Sequence, residues 1–250
     1  MVLSALIVVH NEEETLEDCI ASVRFADEIV VVLDKCTDGS KAIVERLGCR
    51  SIEGAWEIEG DRRNAGIEAC AGDWILEVDA DERVPTELAA EIRSAISMEA
   101  GDWIKIPFKN YVGNRFVRYG WGASFGVSQK ACLFRKSAKR WGRERVHPSL
   151  IFSGQPGLPL THCMVHHIDR NISDMVLRLD RYSTARARDL RETGNIGSLR
   201  HNVMRFFGRF YKCYFRRKGY REGVLGLLIA VFAGLYPILS YAKAQIDDKA

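Results

Sequence analysis

The stretch WILEVDADERV, residues 74–84, begins as an apolar run and then places Glu77, Asp79, Asp81 and Glu82 within six positions. Like charges this close repel and raise one another's pKa unless a cation lies among them. On a strand, residues two apart share a side, so Asp79 and Asp81 can aim at one point while Ala80 faces away. Carboxylate oxygens suit Mg²⁺ or Mn²⁺, which usually complete their coordination with water and substrate phosphates. The competing reading is a solvated turn entering a helix whose first residues favour acidic side chains.

Upstream of this stretch the chain alternates strand and helix. LSALIVV (3–9) is nearly all apolar, as a parallel strand buried on both faces would be. Asn11 then reads as a helix cap with Glu14 as its capping-box partner, and Leu16, Ile20 and Val23 give an apolar face. EIVVVL (28–33), the polar turn DKCTDGS and a helix over about 41–47 repeat the pattern. A third helix near 62–71 leads through Gly72 into the strand at 74–78. Pro85 opens a fourth, carrying Leu88, Ile92 and Ile96. This alternation predicts a parallel sheet with right-handed crossovers. After Gly101, short pieces (WIKIPF, NRFVRY, ACLFR, SLIF) predict mixed sheet and loops. Ligands of open parallel sheets bind beyond the carboxyl ends of the strands, where the tips HNEE, DKCTDG and DADE all fall.

The 250 residues suffice for one large domain or a domain with an appendage, and a net charge of +3 is too small to argue for nucleic acid. Seven cysteines scattered singly suggest neither a disulfide framework nor a zinc site and fit a reducing cytosol. No basic region followed by a long apolar stretch opens the chain, so no signal peptide is expected.

In order and spacing, LIVVHNEEETLEDCIASV, EIVVVLDKCTDGS and RRNAGIEACAGDWILEVDADE resemble family 2 glycosyltransferases, and within them the bacterial enzymes of lipopolysaccharide core assembly. The resemblance is strong over residues 1 to about 100. It implies an α/β GT-A (Rossmann-like) fold, a mostly parallel sheet flanked by helices. Val9, Asn11 and Glu13 would border the nucleotide base, Asp34 would hydrogen-bond it, and Arg63 and Asn64 would sit over base and ribose. Asp79 would touch ribose and metal, and Asp81 would ligate the metal. Where family members commonly carry an acid, this chain has Leu33, with Asp34 one place later.

A metal held by Asp81 would stabilise charge on the departing nucleoside diphosphate, most simply from a UDP-sugar. In-line displacement inverts the anomeric carbon, and the acceptor hydroxyl then needs a base. In WGRERVHPSL, Glu144 is the candidate base and His147 an acceptor-binding or metal-adjacent residue, set against a surface pairing of Glu144 with Arg143 or Arg145. His166 and His167 point to opposite faces of a strand, so one at most serves the site. His166 is the candidate for diphosphate or metal, against an ordinary core or surface histidine.

The C-terminal part has another character. Residues 172–192 read as a long helix, and RFFGRFYKCYFRRKGYR (205–221) interleaves seven basic residues with seven aromatics, a mixture suited to an anionic membrane surface. Residues 224–242 hold nineteen residues without a formal charge, enough to cross a bilayer once, although Gly226, Gly234 and Pro237 also allow an in-plane arrangement or a buried helix. The expected organisation is a catalytic domain over 1–170, with a nucleotide-sugar half to about 100 and an acceptor half beyond. A helical, membrane-associating region follows over 171–250. The basic block would keep the catalytic domain on the cytoplasmic face of the inner membrane, peripheral or single-span, beside a glycolipid or polysaccharide-precursor acceptor. Two alternatives remain at this point. One is a nucleotidyltransferase, although HNEEETLEDC lacks the usual glycine-rich loop. The other is a single-strand binder acting through 205–221, although nucleic acid is not expected as a partner.

Overall fold

The computed structural model of the chain describes residues 1–122, 126–144 and 148–247. Its first part is β1 (Leu3–Val9), α1 (Glu13–Ser22), β2 (Glu28–Asp34), α2 (Ser40–Arg46), β3 (Arg50–Gly54), α3 (Glu59–Ala69), β4 (Trp74–Asp79), β5 (Glu82–Arg83) and α4 (Thr86–Ser97). All seven residues of β1 are buried, which is why the run carries almost no polar side chain. Leu6, Ile7, Leu16, Ile20, Leu88 and Ile92 are fully enclosed. Each such side chain contributes about 1.5–3 kcal/mol of burial free energy.

The next part comprises β6 (Trp103–Val112), β7 (Arg115–Val117), β8 (Gln129–Arg135), β9 (Lys139–Trp141), β10 (Leu150–Phe152) and β11 (Met164–Asp169). One sheet runs in the order β3-β2-β1-β4-β8-β6-β11-β5, with β7 on β6, and β9 and β10 form a separate pair. The first four neighbours are parallel. From β8 onward the resolved pairings are antiparallel. The parallel half and the mixed half follow the two grammars of the sequence.

Two compact units divide the chain: Met1–Lys109 with Ser128–His166, and Asn110–Val127 with His167–Ala250. The second contains α5 (Ile172–Glu192), α6 (Leu199–Tyr211), a π-helical turn (Lys212–Arg216) and α7 (Gly223–Ile246). Asn171 caps α5 by accepting from Asp174 N, and Ser198 caps α6 by accepting from His201 N. Met175, Leu179, Ser183 and Ala187 are the buried stripe of α5 at four-residue spacing. Met175 and Leu179 share a core with Val112, Val117, Cys213, Leu225, Ile229, Ala230, Ala233 and Tyr236. α7 is one helix with Pro237 inside it. Small residues let it pack closely, since a Cβ on Gly234 would meet the Phe206 ring at 2.8 Å.

Candidate active site

Parallel register brings three strand ends to one level: Val9 of β1 lies opposite Leu33 of β2, Val8 opposite Asp79 of β4, and Asp34 opposite Gly54 of β3. The first two turns are stitched together. Asn11 does not cap α1, which starts two residues later with Glu12 in the cap position and no side-chain bond there. Instead Asn11 takes a left-handed backbone (φ 58°), and its Oδ1 accepts from Thr37 N at 2.8 Å. Asparagine is among the few side chains that tolerate this conformation. Glu13 N donates to Asp38 Oδ2 at 2.9 Å, and Glu13 Oε2 accepts from Gly39 N at 2.6 Å. Asp34 is buried, accepting from Trp56 N and from Arg62 Nη1, both at 3.0 Å.

Beside these turns lies an ion network. The Arg63 guanidinium reaches Glu59 Oε1 at 3.0 Å, Glu77 Oε1 at 3.1 Å and Asp79 Oδ1 at 3.0 Å, and its centre lies 4.7 Å from the Trp141 ring centroid. Glu77 also accepts from Lys139 Nζ and from Trp141 Nε1. Lys130 Nζ donates to Asp79 Oδ2 at 2.7 Å and to Glu82, whose other oxygen accepts from Asp79 N at 3.0 Å. Burial opposes the ionisation of Asp79, but Lys130 and Arg63 outweigh it and hold the carboxyl well below the usual range. Burial, together with the Asp79 charge, pushes Glu82 up to about 7.

Strand β4 ends at Asp79, and Ala80 and Asp81 form a turn before β5, so the two aspartates do not share one strand face. Asp79 faces Arg63 and Lys130, whereas Asp81 faces His166, with Oδ2 and Nε2 3.3 Å apart. Pairing of β11 with β5 sets His166 opposite Glu82. Ligand atoms of Asp81, Glu82 and His166 lie within 4.8 Å of one another, a donor set of two carboxylates and an imidazole. Such a set suits a divalent cation that accepts both oxygen and nitrogen. Six carboxylates (Asp34, Glu59, Glu77, Asp79, Asp81, Glu82) face four fixed cations (Arg62, Arg63, Lys130, Lys139) across this network, so it is short of positive charge.

Asn64 grips β9 with both ends of its amide, Nδ2 donating to Trp141 O at 2.9 Å and Oδ1 accepting from Trp141 N at 3.0 Å. Glu144 is exposed and accepts from Ser149 N at 3.0 Å and Ser149 Oγ at 2.9 Å, bonds that lower its pKa. Neither Arg143 nor any other described cation pairs with it; Arg143 bonds Asp61. His147 lies outside the described residues. His167 packs against the Tyr111 ring, 5.6 Å between centroids. Lys130, Lys139, Arg62 and Trp141 were not singled out by the sequence. Strand alternation held one signal, since it puts Lys130 on the side of Cys132 and Phe134, both buried.

The profile of glycosyl transferase family 2 matches residues 4–141, more than half of the chain and all of the network just described except His166. The chain belongs to glycosyl transferase family 2. Among the relatives of this family 2 enzyme is the lipopolysaccharide core biosynthesis glycosyltransferase LpsC of Rhizobium meliloti, 27% identical over 96% of this chain and 91% of that protein. An uncharacterized glycosyltransferase of Rickettsia conorii is 25% identical over 99% of this chain and 92% of its own. The crystal structure of S. aureus TarS in complex with UDP superposes with a TM-score of 0.50 at 16% identity, covering 90% of this chain and 75% of that one. That likeness supports the shared fold. The protein is thus a glycosyltransferase with a mixed α/β, GT-A-like architecture, as the sequence motifs implied.

Proposed function

We propose that this glycosyltransferase moves a sugar, with inversion, from a nucleoside diphosphate donor to a membrane-linked acceptor, and that it uses Mn²⁺ or Mg²⁺. The observation that carries the reading is the convergence of Asp81, Glu82 and His166 beside a network with more carboxylates than cations. Asp81 and His166 would hold the ion, with Glu82 as third ligand in competition with Lys130. Bound there, the cation would stabilise negative charge on the leaving diphosphate. The imidazole favours Mn²⁺ over Mg²⁺, which prefers an all-oxygen shell. Arg63 and Lys130 keep Asp79 ionised and fixed, so that its carboxylate is an acceptor for a ribose hydroxyl. Val9, Asn11, Glu13 and Asp34 shape the wall for the base mainly by ordering the turns, and Asn64 acts through Trp141. Glu144, anchored by Ser149, is the proposed base for the acceptor hydroxyl, and His147, outside the described residues, keeps its proposed acceptor-binding or metal-adjacent role.

UDP in the TarS complex supports a uridine donor, and the LpsC relationship supports a lipopolysaccharide-core acceptor. Residues 1–170 would form the catalytic domain and 171–250 the region that keeps it at the cytoplasmic face of the membrane. The test is a panel of UDP-sugars with Mn²⁺, Mg²⁺ or chelator, read as donor turnover for wild type and Asp81→Asn. Turnover that needs both the metal and Asp81 is expected; turnover unchanged by chelator would remove the metal from the reading.

A further inference from the structure

We infer that the exposed side of α6 is a docking surface for an anionic lipid bilayer, against which this helix lies flat. Met204, Phe207, Tyr211 and Phe215 recur at three- and four-residue intervals along α6 and its π-helical turn, and they are 64%, 60%, 58% and 51% exposed. Single exposed apolar residues are ordinary, but a continuous stripe of four large ones marks an interaction surface. The rings are fixed in place: Phe207 packs edge-on against Phe206, and Phe215 lies 5.4 Å from Tyr211 and 5.2 Å from Tyr214 between centroids. The opposite side of the helix is already occupied, with Asn202 and Cys213 buried and Phe206 against Gly234 of α7.

Charge decides the occupant. No acidic residue occurs between Leu199 and Arg221, while Arg200, Arg205, Lys212, Arg216 and Lys218 are exposed and enter no ion pair among the described residues. Arg209, half-buried over the Tyr236 ring, has a buried Nη1 without a hydrogen-bond partner. Basic groups beside an aromatic stripe match phosphate headgroups above an acyl boundary.

The other candidate for the membrane is the segment Gly219–Ile246, long and apolar enough to cross it. Half of its most apolar window is enclosed in the protein, and Leu225, Ile229, Ala233 and Tyr236 belong to the core shared with α5. A span would remove those side chains from their packing, so the geometry points to α6 in the interface with α7 kept inside. The inference rests on the proposed membrane-linked acceptor only for its purpose; lipid binding does not depend on sugar transfer.

The test uses the full chain and vesicle co-sedimentation, with phosphatidylcholine vesicles against phosphatidylcholine–phosphatidylglycerol vesicles. Wild type is expected to prefer the anionic vesicles, and Phe207→Glu/Tyr211→Glu to weaken that binding by about tenfold or more with melting temperature and donor hydrolysis unchanged. Arg205→Gln/Lys212→Gln, which leaves the stripe intact, is expected to lower the anionic preference and its salt sensitivity. Equal binding by wild type and both variants, or no binding to anionic vesicles, would overturn the inference. So would cellular protein that resists alkaline carbonate extraction, which would mean α7 spans, or a dimer abolished by the stripe variant, which would assign the stripe to a second copy. If binding fails while donor hydrolysis persists, only this inference falls; loss of hydrolysis with binding intact strikes the enzymatic reading alone.

Discussion

Lys130 Nζ lies 2.7 Å from Asp79 Oδ2, joining residues 51 positions apart at the end of β4. The lysine also holds Glu82, so one ammonium is shared between two carboxylates while Asp81 keeps its histidine neighbour. Removing one partner of a fully buried pair costs about 3–5 kcal/mol. Lys130 is a third exposed and Arg63 stays on Asp79, so Lys130→Met is expected to cost about 2 kcal/mol, measured by urea unfolding. The same variant should bind Mn²⁺ more tightly, because Glu82 is released.

Glu222 is a buried acid serving two backbone donors, Arg118 N at 2.9 Å and Tyr119 N at 3.0 Å, with Arg115 at 3.4 Å. Glu222→Ala leaves those donors unmet and is expected to destabilise the helical unit by about 3 kcal/mol. Glu222→Gln, which keeps an acceptor, should recover about half of that, read by hydrogen exchange in α7.

A Cβ on Gly60 would collide with the Gly142 carbonyl oxygen, so α3 approaches the residue after β9 as closely as backbone allows. Gly60→Ala is expected to lower stability by about 1–3 kcal/mol. Because it pushes on the strand that Asn64 grips, donor turnover should fall as well, whereas Gly48→Ala, with open space around it, should leave turnover intact.

Acid should unfold the protein through carboxylates that the fold holds ionised. Glu91 is pushed up by burial, but Thr161 and His162 donors outweigh this and bring it to about 2. Arg93, then Leu3 N, bring Asp27 to about 2. A depressed folded pKa stabilises above the unfolded value, and that stabilisation is lost as pH falls through the folded one. Melting temperature should therefore drop from about pH 4.5 toward pH 2. Glu91→Gln should show a shallower fall over the same range.

The parallel half was legible because its signals are local. The β1 run is buried on both faces and reads as such, and Leu88, Ile92 and Ile96 repeat with helical period on α4. β3 and β9 escaped because RSIEG and KRW are short and half polar, and they become strands only by pairing with β2 and β10. Asn11 misled because a residue suited to a cap is equally suited to a left-handed turn. At the site, the acids were visible as a motif, whereas Lys130, Lys139 and Trp141 bind them across separations of 48 to 64 residues. The Lys130 pairing follows β4–β8 register, and Lys139 and Trp141 come from β9 beyond it, neither of which a local pattern encodes.

The central claim is that Asp81 and His166 hold a divalent cation, and Mn²⁺ binding followed by electron paramagnetic resonance, with UDP present, tests it most directly. One bound Mn²⁺ per chain is expected for wild type, with affinity reduced by tenfold or more, on the order of a lost ligand or its support, in Asp81→Asn and in His166→Ala. Identical Mn²⁺ titration curves for wild type and both variants would contradict the account.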